Sequence, residues 1–284
     1  MKYRLLPLAV LSMVVTDCAG PRSFENAYLD EGYKLVWSEE FNTNGRPDPS
    51  NWTYEHGFVR NQELQWYQEE NAFVENGLLI IEGRRENVPN PNFAAGSDDW
   101  RLNRKQADYT SASINTRGRH AWRYGRFEIK ARIKTQAGLW PAIWTLGLGE
   151  EWPANGEIDI MEFYGGNILA NVAWASSERW KAIWNDSRTP VSSFKNTDWD
   201  DQFHLWRMDW TQESISIYLD GQLLNRISLD ETINQRGKIK NPFLEMEHYF
   251  LLNLAIGGPN GGDPSGTVFP TRYEVDYVRI YQLH

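Results

Sequence analysis

The sequence is poor in cysteine, in clustered metal ligands and in net positive charge, and each shortage excludes a class of protein. The 284 residues include one cysteine, Cys18, so no disulfide within the chain can hold the fold together. No group of cysteine and histidine residues has the spacing of a metal site. The formal net charge is -9, which argues against binding to nucleic acid and to anionic membranes.

The first residues have the pattern of an export signal. Lys2 and Arg4 precede an apolar run over residues 5–15, which is too short to span a bilayer as a mature helix. Cys18 and two small residues follow, an order that resembles a bacterial lipoprotein signal in which Cys18 becomes the lipidated N-terminus. An ordinary cleaved signal with an incidental cysteine is the alternative. Both interpretations predict an exported protein, either a cell-envelope lipoprotein attached to the membrane only through Cys18 or a secreted protein.

The chain is expected to form a single large domain after this signal. Residues 1–20 are excluded from the fold, and residues 21–32 read as a polar lead-in. Residues 33–284 show no repeat, no low-complexity linker and no change in composition that would mark a boundary. No feature of the sequence indicates an oligomer, so we expect a monomer.

Alternation of apolar and polar residues predicts an all-β fold. Residues 126–135 alternate with period two, which is typical of a strand with one buried and one wet face. Residues 86–108 and 257–266 read as loops, and residues 230–236 as a short helix. We therefore predict a sandwich of antiparallel sheets. The other predicted strands cover residues 78–81, 214–219, 222–227, 248–256 and 274–282.

Aromatic residues are abundant and suggest an aromatic-lined site. They make up 14% of the chain, and 14 of them are tryptophans. A folded core needs few tryptophans, so we expect some of the tryptophans to be exposed and to line a site.

One short motif, GEIDIMEF over residues 156–163, places three acids in an apolar strand. Acids in such a setting are costly unless they have partners or a task. Glu157 and Asp159 share a face, whereas Glu162 lies five positions on and would face the other way. A β-bulge near residues 160–161 would return Glu162 to the shared face.

Paired carboxyl groups on one face are what a retaining glycosidase requires. One carboxyl acts as the nucleophile and the other as acid and then base, about 5–5.5 Å apart. Strand geometry puts the backbones of Glu157 and Glu162 roughly 13 Å apart even with the bulge, so the side chains must lean inward on a concave sheet. A solvent-facing acidic stripe is the alternative interpretation of these three acids alone.

The motif and its surroundings resemble glycoside hydrolase family 16. The segments 138–147 (GLWPAIWTLG) and 36–42 (VWSEEFN) look like strands of that family, and others match in the same order from about residue 33 onward. The resemblance implies a curved β-jelly roll of two antiparallel sheets with a concave cleft. It also implies Glu157 as the nucleophile, Asp159 as the assisting acid and Glu162 as the acid/base. The further matching segments are residues 61–67, 74–81, 124–133, 203–210, 250–258 and 275–281.

The same resemblance implies a set of substrate-binding residues in the cleft. Indole faces would stack on sugar rings, and polar side chains would bind hydroxyl groups. Core packing is the alternative for the tryptophans, turn or cap chemistry for the asparagines and Glu63, and a structural hydrogen bond for His204. The candidates are Asn61, Glu63, Trp66, Trp140, Trp144, Trp174, Trp184, His204 and Asn253.

Two departures from the family pattern bear on the substrate. Pro259 and Asn260 follow Gly258 where many laminarinases have tryptophan, and residues 173–174 are Ala-Trp where a histidine is usual. Residues 174–184 add three tryptophans near the site. We therefore expect mixed-linkage β-1,3-1,4-glucan as the substrate, with or without β-1,3-glucan.

The resemblance also implies a possible site for a structural calcium ion, whose ligands would come from the neighbourhood of Glu39, Gly77 and Asp276. Oxygen ligands suit calcium, although Asp276 could equally be a surface acid. No cofactor is expected in the chemistry itself.

Taken together, the residues predict an endo-acting retaining β-glucanase. The alternatives are an endo-galactanase of the agarase or carrageenase type, a transglycosylase, and a β-glucan-binding protein without catalysis. The intact pair of Glu157 and Glu162 disfavours the last of these.

Overall fold

The computed structural model describes residues 32–283. The predicted export signal and Cys18 lie outside the described residues, as does almost all of the predicted lead-in. Within residues 32–283, no helix is long and apolar enough to cross a membrane.

Two large antiparallel sheets dominate the fold, as the alternation predicts. The back sheet has eight strands, seven of which follow one another in hydrogen-bonded order. That order is β17 (Gln222–Ser228), β16 (Ser214–Leu219), β15 (His204–Trp210), β10 (Gly125–Arg132), β19 (Thr271–Leu283), β5 (Leu78–Gly83) and β4 (Ala72–Glu75), with β1 (Tyr33–Glu39) paired to β19.

The second sheet, which we call the cleft sheet, has seven strands. Its order is β14 (Ala182–Pro190), β13 (Asn167–Ala175), β12 (Glu157–Tyr164), β11 (Leu139–Gly147), β18 (His248–Ile256), β9 (Ser113–Asn115) and β2 (Thr53–Tyr54). Consecutive strands β11 to β14 lie side by side, so one stretch of chain builds four of the seven strands.

Short strands, helices and 3-10 turns lie in the connections between the strands of the two sheets. The strand pairs are β3 (Gln65–Tyr67) with β8 (Tyr109–Ser111) and β6 (Val88–Pro89) with β7 (Gln106–Ala107). The helices are α1 (Trp100–Asn103), α2 (Pro242–Glu245) and α3 (Gly258–Gly261), with 3-10 turns at Glu69–Asn71, Val191–Ser193, Trp199–Asp201 and Leu229–Glu231.

The main core lies between the two sheets. In β10, Phe127 and Ile129 are fully buried, as the period-two pattern requires. From the cleft sheet, Ile143 and Phe250 point into the same core. The strand β18 is buried along its whole length, which matches its nearly continuous apolar sequence.

The prediction of an all-β sandwich of antiparallel sheets is confirmed, with local errors. The segments predicted as loops over residues 86–108 and 257–266 contain the short helices α1 and α3. The helix expected over residues 230–236 is absent, and only a 3-10 turn over Leu229–Glu231 forms. The backbone N–H of Gln235 donates to the carbonyl of Ala175, and the side chain of Asn234 donates to the carbonyls of Ala154 and Ile239. Because these hydrogen bonds to other segments use the polar groups of residues 234 and 235, the segment packs against the cleft sheet instead of forming a helix.

Candidate active site

The three acids of the motif lie on strand β12, and a bulge sets their faces. Asp159 pairs with Trp144 and Met161 with Ile143, which leaves Ile160 as the extra residue. The pairing with β13 shifts at the same place, between Asp159 and Glu162. Ile160 and Met161 therefore both enter the core. Glu157, Asp159 and Glu162 all line the cleft on the opposite face, as the sequence predicts.

A glycine fixes the point at which β12 begins. Gly156 has φ of +73°, a conformation that side chains rarely adopt. A Cβ atom there would lie 2.8 Å from Pro242 Cβ and 2.9 Å from Phe243 Cε1. Only glycine fits this close approach to helix α2, immediately before Glu157.

Each glutamate of the motif receives a hydrogen bond from a tryptophan. Trp152 Nε1 donates to Glu157 Oε2 at 2.8 Å, and Trp140 Nε1 donates to Glu162 Oε1 at 2.7 Å. Asn171 Nδ2 adds a bond of 3.2 Å to Glu162 Oε2. Because both carboxyl groups are held by neighbours, their orientations are set before any ligand arrives.

The environment keeps protons on this cluster up to neutral pH. Burial raises the pKa of Glu157 to about 7, although the bond from Trp152 and the charge of Arg60 lower it. Burial likewise raises the pKa of Glu162 to about 7, with the charge of Glu157 adding to the effect. The pKa of Asp159 lies well above its ordinary value, through burial first and then the charges of both glutamates. Such a cluster can hold one carboxylate and one carboxylic acid at once.

The cleft around the acids has a volume of about 740 Å³ and crosses five strands of the cleft sheet. Trp140 and Trp144 form part of its floor on β11, where they face the same side together with Ala142 and Leu146. Of the other predicted binding residues, Asn61, Glu63, Trp184 and Asn253 also line it.

A hydrogen-bonded chain of polar groups runs along one side of the cleft. Trp144 Nε1 donates to Asn253 Oδ1 at 2.7 Å, and Asn253 Nδ2 donates to the hydroxyl of Tyr67 at 3.1 Å. That hydroxyl and Gln65 Nε2 both donate to Glu63 Oε2, at 3.4 and 2.7 Å. Burial raises the pKa of Glu63, while the charge of Arg60 lowers it.

The long loop predicted over residues 86–108 holds this side in place. Arg104 donates to the backbone carbonyls of Glu63 and Gln62, and Arg101 donates to that of Val59. Asn61 and Gln62 have φ of +53° and +49°, which is unusual outside glycine. The arginines thus fix a segment whose backbone is strained.

Three predicted binding residues lie outside the cleft. Trp66 alternates with the inward-facing Gln65 and Tyr67, so it points the other way and packs edge-on against Phe58. Trp174 points from β13 into the main core. His204 lies on the back sheet, between Asp220 and the carbonyl of Trp199.

Two of the three residues named for calcium, Glu39 and Asp276, have partners within the protein. The carboxylate of Glu39 already accepts hydrogen bonds from the backbone N–H of Phe41 and from the side chains of Asn51 and Trp52. Asp276 Oδ2 lies 2.7 Å from the ammonium of Lys130. The described part of the chain contains no group of three or more histidine, cysteine or acidic residues able to hold a metal. Calcium binding stays a prediction.

Sequence reasoning missed several residues that line the cleft. Trp180, Asp186 and Arg188 belong to the hairpin of β13 and β14, where period two along β14 could have identified the last two. Arg60 and Trp152 come from loops, whose paths no periodicity predicts. Trp180 is one of the three tryptophans of residues 174–184 that the sequence places near the site. The residues missed are Arg60, Arg101, Ala142, Leu146, Trp152, Tyr164, Asn171, Asp186, Arg188 and Asn260.

Comparison with known proteins gives relatives over most of the chain. The β-glucanase of Rhodothermus marinus is 35% identical over 265 residues, which cover 88% of this chain and 85% of that protein. The chain spans 34% and 38% of the length of two other curated relatives.

Solved structures share the fold. The laminarinase catalytic domain of Thermotoga maritima is 34% identical and has a TM-score of 0.72, with 88% of this chain and 98% of that one covered. A structure from a study of endo-acting O-glycanases with which human gut bacteria initiate mucin breakdown is 33% identical and has a TM-score of 0.79. The aligned region covers 89% of this chain and 91% of the chain in that structure.

The family model described as glycosyl hydrolases family 16 matches residues 60–277, which include the acid motif and nearly all of the cleft. The resemblance found in the sequence is therefore confirmed, and the chain belongs to glycosyl hydrolase family 16.

Proposed function

We propose that the chain is an endo-acting, retaining β-glucanase that hydrolyses mixed-linkage β-1,3-1,4-glucan, β-1,3-glucan or both. The observation that carries this proposal is the set of three acids on one face of β12, at the floor of a cleft, with two pKa values raised to about 7. Residues from five neighbouring strands line that cleft, which suits a long chain cut at internal bonds.

In the proposed mechanism, the Glu157 carboxylate attacks the anomeric carbon while the glycosidic C–O bond breaks. Glu162 gives its proton to the departing oxygen, and a covalent glycosyl ester forms on Glu157. Water then attacks the same carbon and gives a proton to Glu162, which releases Glu157 and restores both groups. Two inversions at one carbon leave the configuration unchanged.

Asp159 is the residue that keeps the two glutamates in different protonation states. Its carboxyl group is almost fully buried and shares a hydrogen bond with Glu157. A protonated Asp159 stabilises the Glu157 carboxylate by a hydrogen bond. Because the protonated side chain is neutral, it adds no negative charge near Glu162.

A second candidate is an endo-acting enzyme for mucin O-glycans. It is favoured by the similarity to the structure from the O-glycanase study, whose TM-score of 0.79 exceeds the 0.72 of the laminarinase domain. Ala173, Trp174 and Pro259, where the sequence departs from the laminarinase pattern, agree with a changed substrate.

The test is sugar release by the purified chain without residues 1–20. Cereal mixed-linkage β-glucan, laminarin, agarose, carrageenan, carboxymethylcellulose and mucin O-glycans are each compared with a Glu157→Gln control. We expect the parent protein to release sugar from the glucans and the Glu157→Gln control to release none. NMR should show that the product keeps the anomeric configuration of the substrate. Release from mucin O-glycans alone would replace the first candidate by the second, and an inverted product would overturn the mechanism.

We further propose export with lipidation at Cys18, and a monomeric state. The pattern of the first twenty residues supports the former. A full-length Cys18→Ala variant should move from the membrane fraction to the soluble exported fraction, whereas an unchanged distribution would contradict lipidation.

A further inference from the structure

Two tryptophans at the rim of the cleft are exposed to an unusual degree. Trp180 is 55% exposed and Trp184 is 43% exposed, and both line the cleft. Single exposed apolar residues are common, but two large aromatic rings beside a polar cleft mark a binding surface.

The edge strand β14 continues the cleft beyond the acids. Glu157 pairs with Ala173 and Ala173 with Trp184, so Trp184 lies two strands from Glu157. Strand spacing of about 4.8 Å puts their backbones about 10 Å apart. The same arrangement places Asp186 beyond Asp159 and Arg188 beyond Glu162. Each acid thus faces a cleft residue of β14 across one intervening strand.

The loop that carries Trp180 is held firmly at the rim. Arg179 forms two hydrogen bonds with the carboxylate of Glu151, at 3.1 and 2.6 Å, and its guanidinium lies over the Trp180 ring at 5.0 Å. The backbone N–H of Ser177 donates to Gln235 Oε1 at 3.1 Å. Trp180 itself has φ of +64°, which costs conformational energy in a non-glycine residue. The loop therefore presents the ring to solvent in a fixed position, where it could otherwise fold onto apolar surface.

We propose that Trp180, Trp184, Asp186 and Arg188, which we call the edge wall, form a subsite for a sugar ring beyond the bond that is cut. The inference rests on the proposed function and specifies where the polysaccharide chain runs. Indole faces suit the apolar faces of hexopyranose rings, and the two charged side chains can bind hydroxyl groups.

The ligand of this subsite is a neutral sugar. Asp186 Oδ2 lies 3.5 Å from Arg188 Nε, so the acid offsets the positive charge that a sulfate or carboxylate would need. The subsite therefore makes affinity depend on chain length rather than on charged substituents.

The test measures binding separately from catalysis. Glu157→Gln protein is titrated calorimetrically with laminari- and mixed-linkage gluco-oligosaccharides from disaccharide to hexasaccharide, and with a series of mucin O-glycans of increasing length. Trp180→Ala and Trp184→Ala are each added to this background. Each should weaken binding of the longest ligand about 2- to 10-fold while leaving the shortest ligand unchanged. Trp180→Phe should keep part of the affinity.

Leu223→Ala is the matched control, because Leu223 is 50% exposed on the back sheet and does not line the cleft. Unchanged binding of the long oligosaccharides by both tryptophan variants would overturn the subsite and leave the proposed function standing. A length-dependent loss seen only in the mucin O-glycan series would keep the subsite and reject the glucanase proposal. Absence of binding to either series by the parent protein would reject the subsite.

Discussion

On one side of the three acids, two polar side chains of the cleft wall, Glu63 and Asn253, are buried and hydrogen-bonded, whereas the tryptophans of the opposite wall are exposed. The first wall, which we call the clamped wall, consists of residues 60–63 and Asn253. Glu63 and Asn253 are less than 5% exposed, and each has named hydrogen-bond partners. Trp180 and Trp184 of the edge wall are about half exposed. The difference teaches that the walls have separate tasks: the clamped wall positions a sugar against the acids, and the edge wall extends the reach of the cleft.

The largest effect should come from releasing the clamped wall. Replacing Arg104 by alanine removes the hydrogen bonds to the carbonyls of Gln62 and Glu63 and frees a strained segment. Since small displacements of positioning groups are costly, we expect kcat/KM to fall about 100-fold, with kcat affected as well as KM. Steady-state kinetics on glucan measures this.

Arg46→Ala provides the control for that loss, because Arg46 is exposed and pairs with Glu69 away from the cleft. Full activity of a folded Arg104→Ala protein would show that the hydrogen bonds from Arg104 have no positioning role. The clamped wall would then have no task that distinguishes it from the edge wall.

The second effect concerns stability, and it contrasts the buried floor with the exposed edge. The pKa of Glu162 is raised from 4.5 to about 7 in the folded chain, so folding takes up protons between these values. The contribution of Glu162 to stability is therefore greatest below about pH 4.5 and is lost as pH rises to about 7. Glu162→Gln should raise the free energy of unfolding by roughly 1–3 kcal/mol at pH 8 and by almost nothing at pH 4.

Urea unfolding at the two pH values tests this, with Asp186→Asn as the control. The side chain of Asp186 is 53% exposed, so its replacement should change stability little at either pH. An equal gain at both pH values for Glu162→Gln would mean that the charge of Glu162 is not the cause.

The smallest effect should come from the polar part of the edge wall. Arg188 is 59% exposed and forms a long ion pair with Asp186, an interaction type that contributes little in water. Arg188→Ala should lower kcat/KM on polysaccharide about twofold at most, because stacking on the tryptophans remains. A tenfold loss would assign the recognition at this wall to charge instead of stacking.

Much of the site could be predicted because it depends on strand periodicity and one bulge. The shared face of Glu157, Asp159 and Glu162 follows from period two plus one extra residue, and the paired tryptophans of β11 follow from their even spacing. His204 could not be placed because alternation gives the face of a strand but not the sheet to which it belongs. The positions of Trp152 and Trp180 depend on loop paths that side-chain bonds to distant residues decide.

The bulge at Ile160 also has a consequence for how such a protein can diversify. Because both glutamates and the aspartate lie on one strand, their spacing is a local property of eight consecutive residues, Glu157–Tyr164. Loops on either wall can lengthen, shorten or exchange aromatic residues without changing that spacing. Regular pairing with the extra residue still present would turn Glu162 away from the cleft, whereas deletion of one residue between Asp159 and Glu162 would let a regular strand keep all three acids on one face.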